Sequence, residues 1–280
     1  MAVIGLDVHP TSTLTDRALI LLADGPQPSE AIAREVMGLA VALPTVVERL
    51  VAALLGSDPR VQRRADGRWV LVPAARGSPS IPDCAFAVVD VETTGCQSSE
   101  DRVIEVAVVL VQGQRRETVF DGLINPGRPL PRQITWLTRL TDADLRSAPP
   151  FEEIADRLLE ALTGRVFVAH NARFDWGFLA AELKRTRGIA LTGPRLCTAR
   201  LARRLVPAAE SCGLDWLSHY FGLENPARHR AGGDAWATAE LLHRLLPLAR
   251  DTGASSLQEL EALQHRRQGK RGTRSRRKSP

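Results

Sequence analysis

Three stretches of the chain carry residues whose types and spacing could do chemistry. The first, FAVVDVETTG (86–95), is a near-continuous apolar run that ends in Asp90 and Glu92. Residues at i and i+2 of a strand share a face, so this spacing holds two carboxylates together at the end of a buried element. Such a pair repels itself and calls for a cation, and oxygen-only ligands suit Mg²⁺ or Mn²⁺. The second stretch, VAHNARFDWGFL (168–179), leaves a short apolar strand through His170 and Asn171 and sets Asp175 at the start of a helix. The third, RHRAGGDAWATAELL (228–242), places His229 five residues before Asp234, which opens another helix.

Taken singly, each feature has an ordinary explanation. Asp-x-Glu is common at solvated strand ends, an acid in a helix's first turn caps the helix and meets its dipole, and a loop histidine needs no ligand. Those explanations do not account for four acids and a histidine that all fall at the ends of regular elements.

The elements that must position them read as α/β. Strands are expected over 84–92, 103–111, about 115–123 and 165–169, with helices over 151–162 and 174–185, near 213–222, and over 234–248. Ahead of them, residues 12–73 read as three short amphipathic helices, each ending at a glycine, and then a hairpin turning at Asp66-Gly67. Helix, helix, helix, hairpin resembles a winged helix-turn-helix, expected over 1–80. Arg60, Arg63, Arg64 and Arg68 beside Trp69 would suit a wing on a phosphate backbone, whereas a solvated edge hairpin with Trp69 packed on the helices is the plainer reading. The first 83 residues hold eight basic and nine acidic side chains, so DNA binding and protein docking both stay open. A polar, Pro/Ser-rich segment, GSPSIPD (77–83), marks the expected boundary before a second domain over 84–250.

Composition narrows the class. At 280 residues and 44% hydrophobic, the chain excludes collagen-like, mucin-like and wholly disordered readings. Its net charge of +5 is uneven: residues 265–280 contribute eight basic side chains and no acid, leaving 29 basic against 32 acidic elsewhere. A basic, disordered tail is expected over 262–280, fit for salt-sensitive tethering to nucleic acid. Cys84, Cys96, Cys197 and Cys212 are far apart and read as reduced thiols. With no signal-peptide pattern and no membrane span, a cytoplasmic protein without a membrane partner is expected.

The three motifs in this order resemble those of the DEDDh family, the DnaQ-like proofreading exonucleases of the RNase T superfamily. The resemblance runs from about Ala85 to Leu248 and takes in INPGRPLP (124–131), Ile134–Thr138, Ala148–Glu153 and Leu196–Arg200. It implies a ribonuclease H-like domain, a mixed central sheet flanked by helices. It implies Asp90, Glu92, Asp175 and Asp234 as ligands of two Mg²⁺ or Mn²⁺ ions and His229 as general base. Thr93, Thr94 and Gly95 then fall where the family holds the terminal nucleotide. Two departures stand out: Gly232-Gly233 where a larger apolar residue is usual, expected to loosen the His229 segment, and Thr138-Arg139-Leu140 in place of Thr-Gly-Ile.

The function implied is a metal-dependent 3′–5′ exonuclease releasing nucleoside 5′-monophosphates. DNA with a 3′ end is the expected partner ahead of RNA. Alternatives are an RNA-processing exonuclease, a proofreading subunit bound to a DNA polymerase and, from another class, an inactive winged-helix regulator.

Overall fold

A computed structural model describes residues 6–10, 13–39, 42–58, 60–72, 78–225 and 227–265. In chain order the elements are β1 (Asp7–Pro10), α1 (Leu14–Ala23), α2 (Ser29–Met37), α3 (Pro44–Leu55), β2 (Val61–Arg63), β3 (Trp69–Leu71), β4 (Phe86–Thr93), β5 (Val103–Gln112) and β6 (Arg115–Leu123). There follow α4 (Arg132–Thr138), α5 (Asp142–Arg146), α6 (Phe151–Leu162), β7 (Val166–Ala169), α7 (Ala172–Arg187), β8 (Ile189–Thr192), β9 (Arg195–Cys197), α8 (Thr198–Leu205), α9 (Leu214–Phe221), α10 (Ala231–Asp251) and α11 (Leu257–His265).

The central sheet has the order β6-β5-β4-β7-β9. The β4–β5 and β5–β6 pairs are antiparallel, and the β4–β7 and β7–β9 pairs are parallel. Both faces are covered, as the unbroken apolar runs of β4 and β5 require. One face packs Val88, Val109 and Val168 against Ala235, Leu241, Leu242 and Leu245 of α10. The other packs Val89, Val108 and Phe167 against Phe151, Leu158 and Leu162 of α6 and Phe178 and Leu179 of α7.

The amino-terminal helices and the β2–β3 hairpin enclose a core of their own around Leu22, Ile32, Val51 and Trp69. Trp69 is buried, and its indole N–H donates to Ser29 Oγ at 3.0 Å, so it belongs to the helices. Three of the four hairpin arginines are spent in ion pairs: Arg60 with Asp58, Arg63 with Glu48 and Arg64 with Asp66.

The expected domain limits are crossed by packing and hydrogen bonds. Strand β1 pairs antiparallel with β8, and Leu6 is fully buried in the core beneath α6. The segment expected to mark the boundary is docked: Ile81 is buried and its N–H donates to the Ser255 carbonyl at 2.9 Å, while Leu257 N–H donates to Pro79 O at 3.0 Å. Of the tail expected over 262–280, residues 262–265 belong to α11. Leu257 and Leu260 of that helix are buried, and Gln264 bonds Cys197 N–H and Arg195 O at 2.9 and 2.7 Å. Residues 266–280 lie outside the described residues. No helix of the described residues is long and apolar enough to cross a membrane.

Candidate active site

The parallel strands β4 and β7 end at the same side of the sheet, and the acids gather there. Asp90 and Glu92 project from one face of β4, as the alternation predicts. Asp234 sits in the first turn of α10 and Asp175 in the first turn of α7. One oxygen from each of Asp90, Glu92 and Asp234 can be chosen so that all lie within 4.8 Å of one another. Asp175 stands outside that trio; its Oδ1 accepts the Val91 N–H of β4 at 3.3 Å, beside Asp90.

Local sequence explains how Asp175 is aimed. Asn171 adopts the left-handed conformation (φ 81°) that turns the chain sharply from β7 into α7, a region Asn tolerates better than most residues. About two turns after Asp175, buried Glu182 accepts from Arg102 at 2.7 and 3.1 Å and from Val103 N–H at 3.2 Å, which ties α7 to the start of β5.

Burial and mutual repulsion raise the acids of the site. Burial, and then the charges of Asp175, Asp234, Glu92 and Glu105, hold Asp90 well above the ordinary carboxylate range. Glu92 is pushed up to about 7, first by burial and then by Asp234 and Glu105. Burial raises Asp175 to about 8, and it raises Asp234 against the opposing hydrogen bonds from Asn225 and the His229 N–H. Four desolvated carboxyls with oxygen donors only are the donor set that hard divalent cations take.

His229 lies beside this cluster in the left-handed region (φ 57°), with its N–H donating to Asp234 Oδ2 at 3.1 Å. Its neighbour Arg230 is clamped by Glu105, a buried acid on β5 directly opposite Glu92. Glu105 accepts from Arg230 Nη2 at 2.7 Å, from Arg230 Nε at 3.1 Å and from Ala231 N–H at 3.0 Å. Sequence reasoning passes over Glu105; its signal is a lone acid inside RVIEVAVVLV, an otherwise apolar strand.

The departures at Gly232 and Gly233 do not loosen this segment. A Cβ at Gly232 would stand 2.7 Å from Asp121 Oδ2, and one at Gly233 would collide with the Ala227 carbonyl, so the glycines admit close approach where β6 and the preceding loop press on α10. Arg139 ends α4 in the left-handed conformation (φ 64°), which costs a non-glycine residue about 1 kcal/mol; its guanidinium lies over the exposed Trp136 ring.

Thr93, Thr94 and Gly95 follow the first pair of acids. Thr93 Oγ1 donates to Gly95 O at 2.5 Å and Thr94 Oγ1 to Asp101 Oδ1 at 3.0 Å. Both hydroxyls are thus spent inside the loop. A Cβ on Gly95 would overlap the Asp101 carboxylate, which explains glycine there. His170 bonds Thr198 Oγ1 and Cys212 O, both at 2.9 Å, and joins the end of β7 to neighbouring loops.

A mixed sheet of this order with acids at its strand ends defines the ribonuclease H-like class of α/β domain. Residues 87–242 match the family model RNase_T, described as exonuclease, and the chain belongs to that family, in its DnaQ-like DEDDh branch. Over 178 residues the chain is 33% identical to a DNA polymerase III PolC-type of Caldanaerobacter subterraneus subsp. tengcongensis, an alignment that covers 64% of this chain and 13% of that protein. It is 35% identical over 164 residues to a DNA polymerase III subunit epsilon of Aquifex aeolicus, covering 59% of this chain and 81% of the relative. Among solved structures, exonuclease X in complex with 5′ overhanging duplex DNA superposes with a TM-score of 0.51 at 26% identity, covering 64% of this chain and 99% of that one. The match thus spans only a small part of the PolC-type polymerase.

Proposed function

We propose that the protein is a metal-dependent 3′–5′ exonuclease that hydrolyses the terminal phosphodiester of DNA and releases nucleoside 5′-monophosphates. The observation that carries this reading is the convergence of Asp90, Glu92 and Asp234 within 4.8 Å, with Asp175 bonded to the same strand. Asp90, Glu92, Asp175 and Asp234 would hold two divalent ions, Mg²⁺ or Mn²⁺. Bound there, such ions stabilise charge on the attacking and leaving oxygens of an in-line displacement.

The residues of the chain do the rest. Water attacks phosphorus and gives its proton to the His229 imidazole; the bond from phosphorus to O3′ breaks, and O3′ departs with the shortened strand. The His229 N–H bond to Asp234 and the Glu105–Arg230 clamp keep that base in place. Thr93, Thr94 and Gly95 lie where the family holds the terminal nucleotide, partly through backbone groups, and both threonine hydroxyls are engaged in the loop. The amino-terminal module is read as a winged helix from its element order.

The test is mononucleotide release from single-stranded DNA, 3′-overhang DNA and RNA of matched sequence, with and without Mg²⁺, beside Asp90→Ala. Release from DNA that needs Mg²⁺ and Asp90 is expected; equal release by wild type and Asp90→Ala would end the reading.

One observation favours a second reading, a proofreading subunit bound to a polymerase. Leu43, which caps α3, and Val46 and Leu50 within it are exposed, and apolar residues at that spacing suit a protein partner better than phosphates. Leu50→Asp should abolish co-purification with the replicative polymerase of the same cell and leave mononucleotide release intact; retained co-purification sinks this reading.

A further inference from the structure

A cavity of about 650 Å³ lies in the seam between the amino-terminal module and the catalytic half, and none of the four acids lines it. Helices α1 and α2 wall one side, and α7 with the β8–β9 segment walls the other. Two tethers fix these walls against each other: the antiparallel pairing of β1 with β8, and the ion pair of Asp24 with Arg195. The Arg195 guanidinium also lies over the Trp176 ring, 4.6 Å from its centroid, so this cation is already engaged.

The lining is amphipathic. Ile20, Leu21, Val36, Trp176, Ala180 and Leu191 give it apolar surface. Of the charged side chains that share it, both carboxylates are taken: Asp24 by Arg195, and Glu35 by Arg34 of its own helix. The charges left over are cationic. Arg17 donates to the Glu35 carbonyl at 3.2 Å, and among the described residues neither Arg17 nor Lys184 has an ion-pair partner. An apolar cavity that carries uncompensated positive charge suits an organic anion, because burial holds the body and the field selects the head.

We propose that this cavity binds a small amphipathic anion, its apolar body between the helices of the module and the α7–β8 wall and its anionic head drawn by Lys184 and Arg17. The volume falls within the range of small-molecule clefts, about 300–1,000 Å³. A bare anion would meet the cations but leave the apolar walls wet, and a neutral apolar molecule would leave the cations uncompensated. Only a molecule with both parts matches both halves of the lining. The site is separate from the acids and does not depend on the exonuclease reading.

The test titrates the full chain with 8-anilinonaphthalene-1-sulfonate, an apolar ring system with one anionic head whose emission rises when it leaves water. Lys184→Glu and Arg17→Glu should each weaken dye binding about tenfold, and Lys184→Arg should keep it. Decanoate should displace the dye, whereas acetate, a head without a body, and decanol, a body without a charge, should not at the same concentration. Leu50→Asp, on the exposed apolar face of α3, should leave dye binding unchanged. Binding within twofold of the wild type in either charge reversal, loss of binding in Leu50→Asp, or displacement by decanol or acetate as strong as by decanoate would overturn the proposal.

Discussion

Replacing Glu105 by Gln perturbs the segment that carries the proposed base, His229, and removes a charge that also raises Asp90 and Glu92. Glu105 presents two oxygens to three donors, at 2.7 to 3.1 Å. Gln has the same shape but offers one oxygen and an NH₂ group, so a donor must face either Arg230 or the Ala231 N–H. A hydrogen bond to a charged group contributes roughly 1.5–3 kcal/mol. The Arg230 side chain is 42% exposed, which screens the pair and favours the lower end of that range. About 1.4 kcal/mol spent on misplacing His229 is about tenfold in rate. Steady-state kinetics on single-stranded DNA should therefore show kcat about tenfold lower with KM unchanged. In the His229→Ala background the same substitution should cost much less, because the larger part of its effect passes through the imidazole. A Glu105→Gln variant with wild-type kcat, or one whose loss multiplies fully with that of His229→Ala, refutes the clamp.

Three further outcomes follow from the same geometry. Glu92 and Asp175 have folded-state pKa values of about 7 and about 8, above those of the unfolded chain, so the folded state binds more protons and loses stability as pH rises from about 4 through 8. The melting temperature of the metal-free protein should fall between pH 5.5 and 8.5, and saturating Mg²⁺ should restore it most at the alkaline end; a rising metal-free curve would contradict this. Gly233→Ala drives a methyl group into the Ala227 carbonyl and should cost about 1–3 kcal/mol in chemical denaturation, with kcat reduced as the His229 loop shifts. Gly95→Ala meets the Asp101 carboxylate, a side chain that can move, so it should destabilise less than Gly233→Ala while raising KM through the displaced loop.

Much of the catalytic half is legible in the sequence because its signals are local. The run up to Asp90 and Glu92 reads as a buried strand, and the apolar period of residues 151–162 matches α6 end to end. What escapes depends on partners distant in sequence. Strand β8 is four residues long and is completed by β1, and β9 is three residues long, so neither carries enough alternation to announce a strand. Glu105 meets Arg230 across 125 positions, and no periodicity encodes that pairing. The Gly232-Gly233 pair reads as slack because glycine is permissive, whereas the space it leaves is filled by Asp121 and the loop at Ala227. The end of α11 reads as part of the basic tail expected from residue 262 because charge dominates the sequence from residue 265 onward, while Leu257 and Leu260, ahead of it, anchor the helix.

The most direct measurement is the polarity and product of a single turnover. Single-stranded DNA labelled at its 3′-terminal nucleotide is mixed with the protein in Mg²⁺, a 5′-labelled strand is run in parallel, and Asp90→Asn serves as control. The account predicts immediate release of the 3′ label as a nucleoside 5′-monophosphate, stepwise shortening of the 5′-labelled strand, and neither with Asp90→Asn. Release from the 5′ end first, a nucleoside 3′-monophosphate as product, or unchanged release by Asp90→Asn would contradict it.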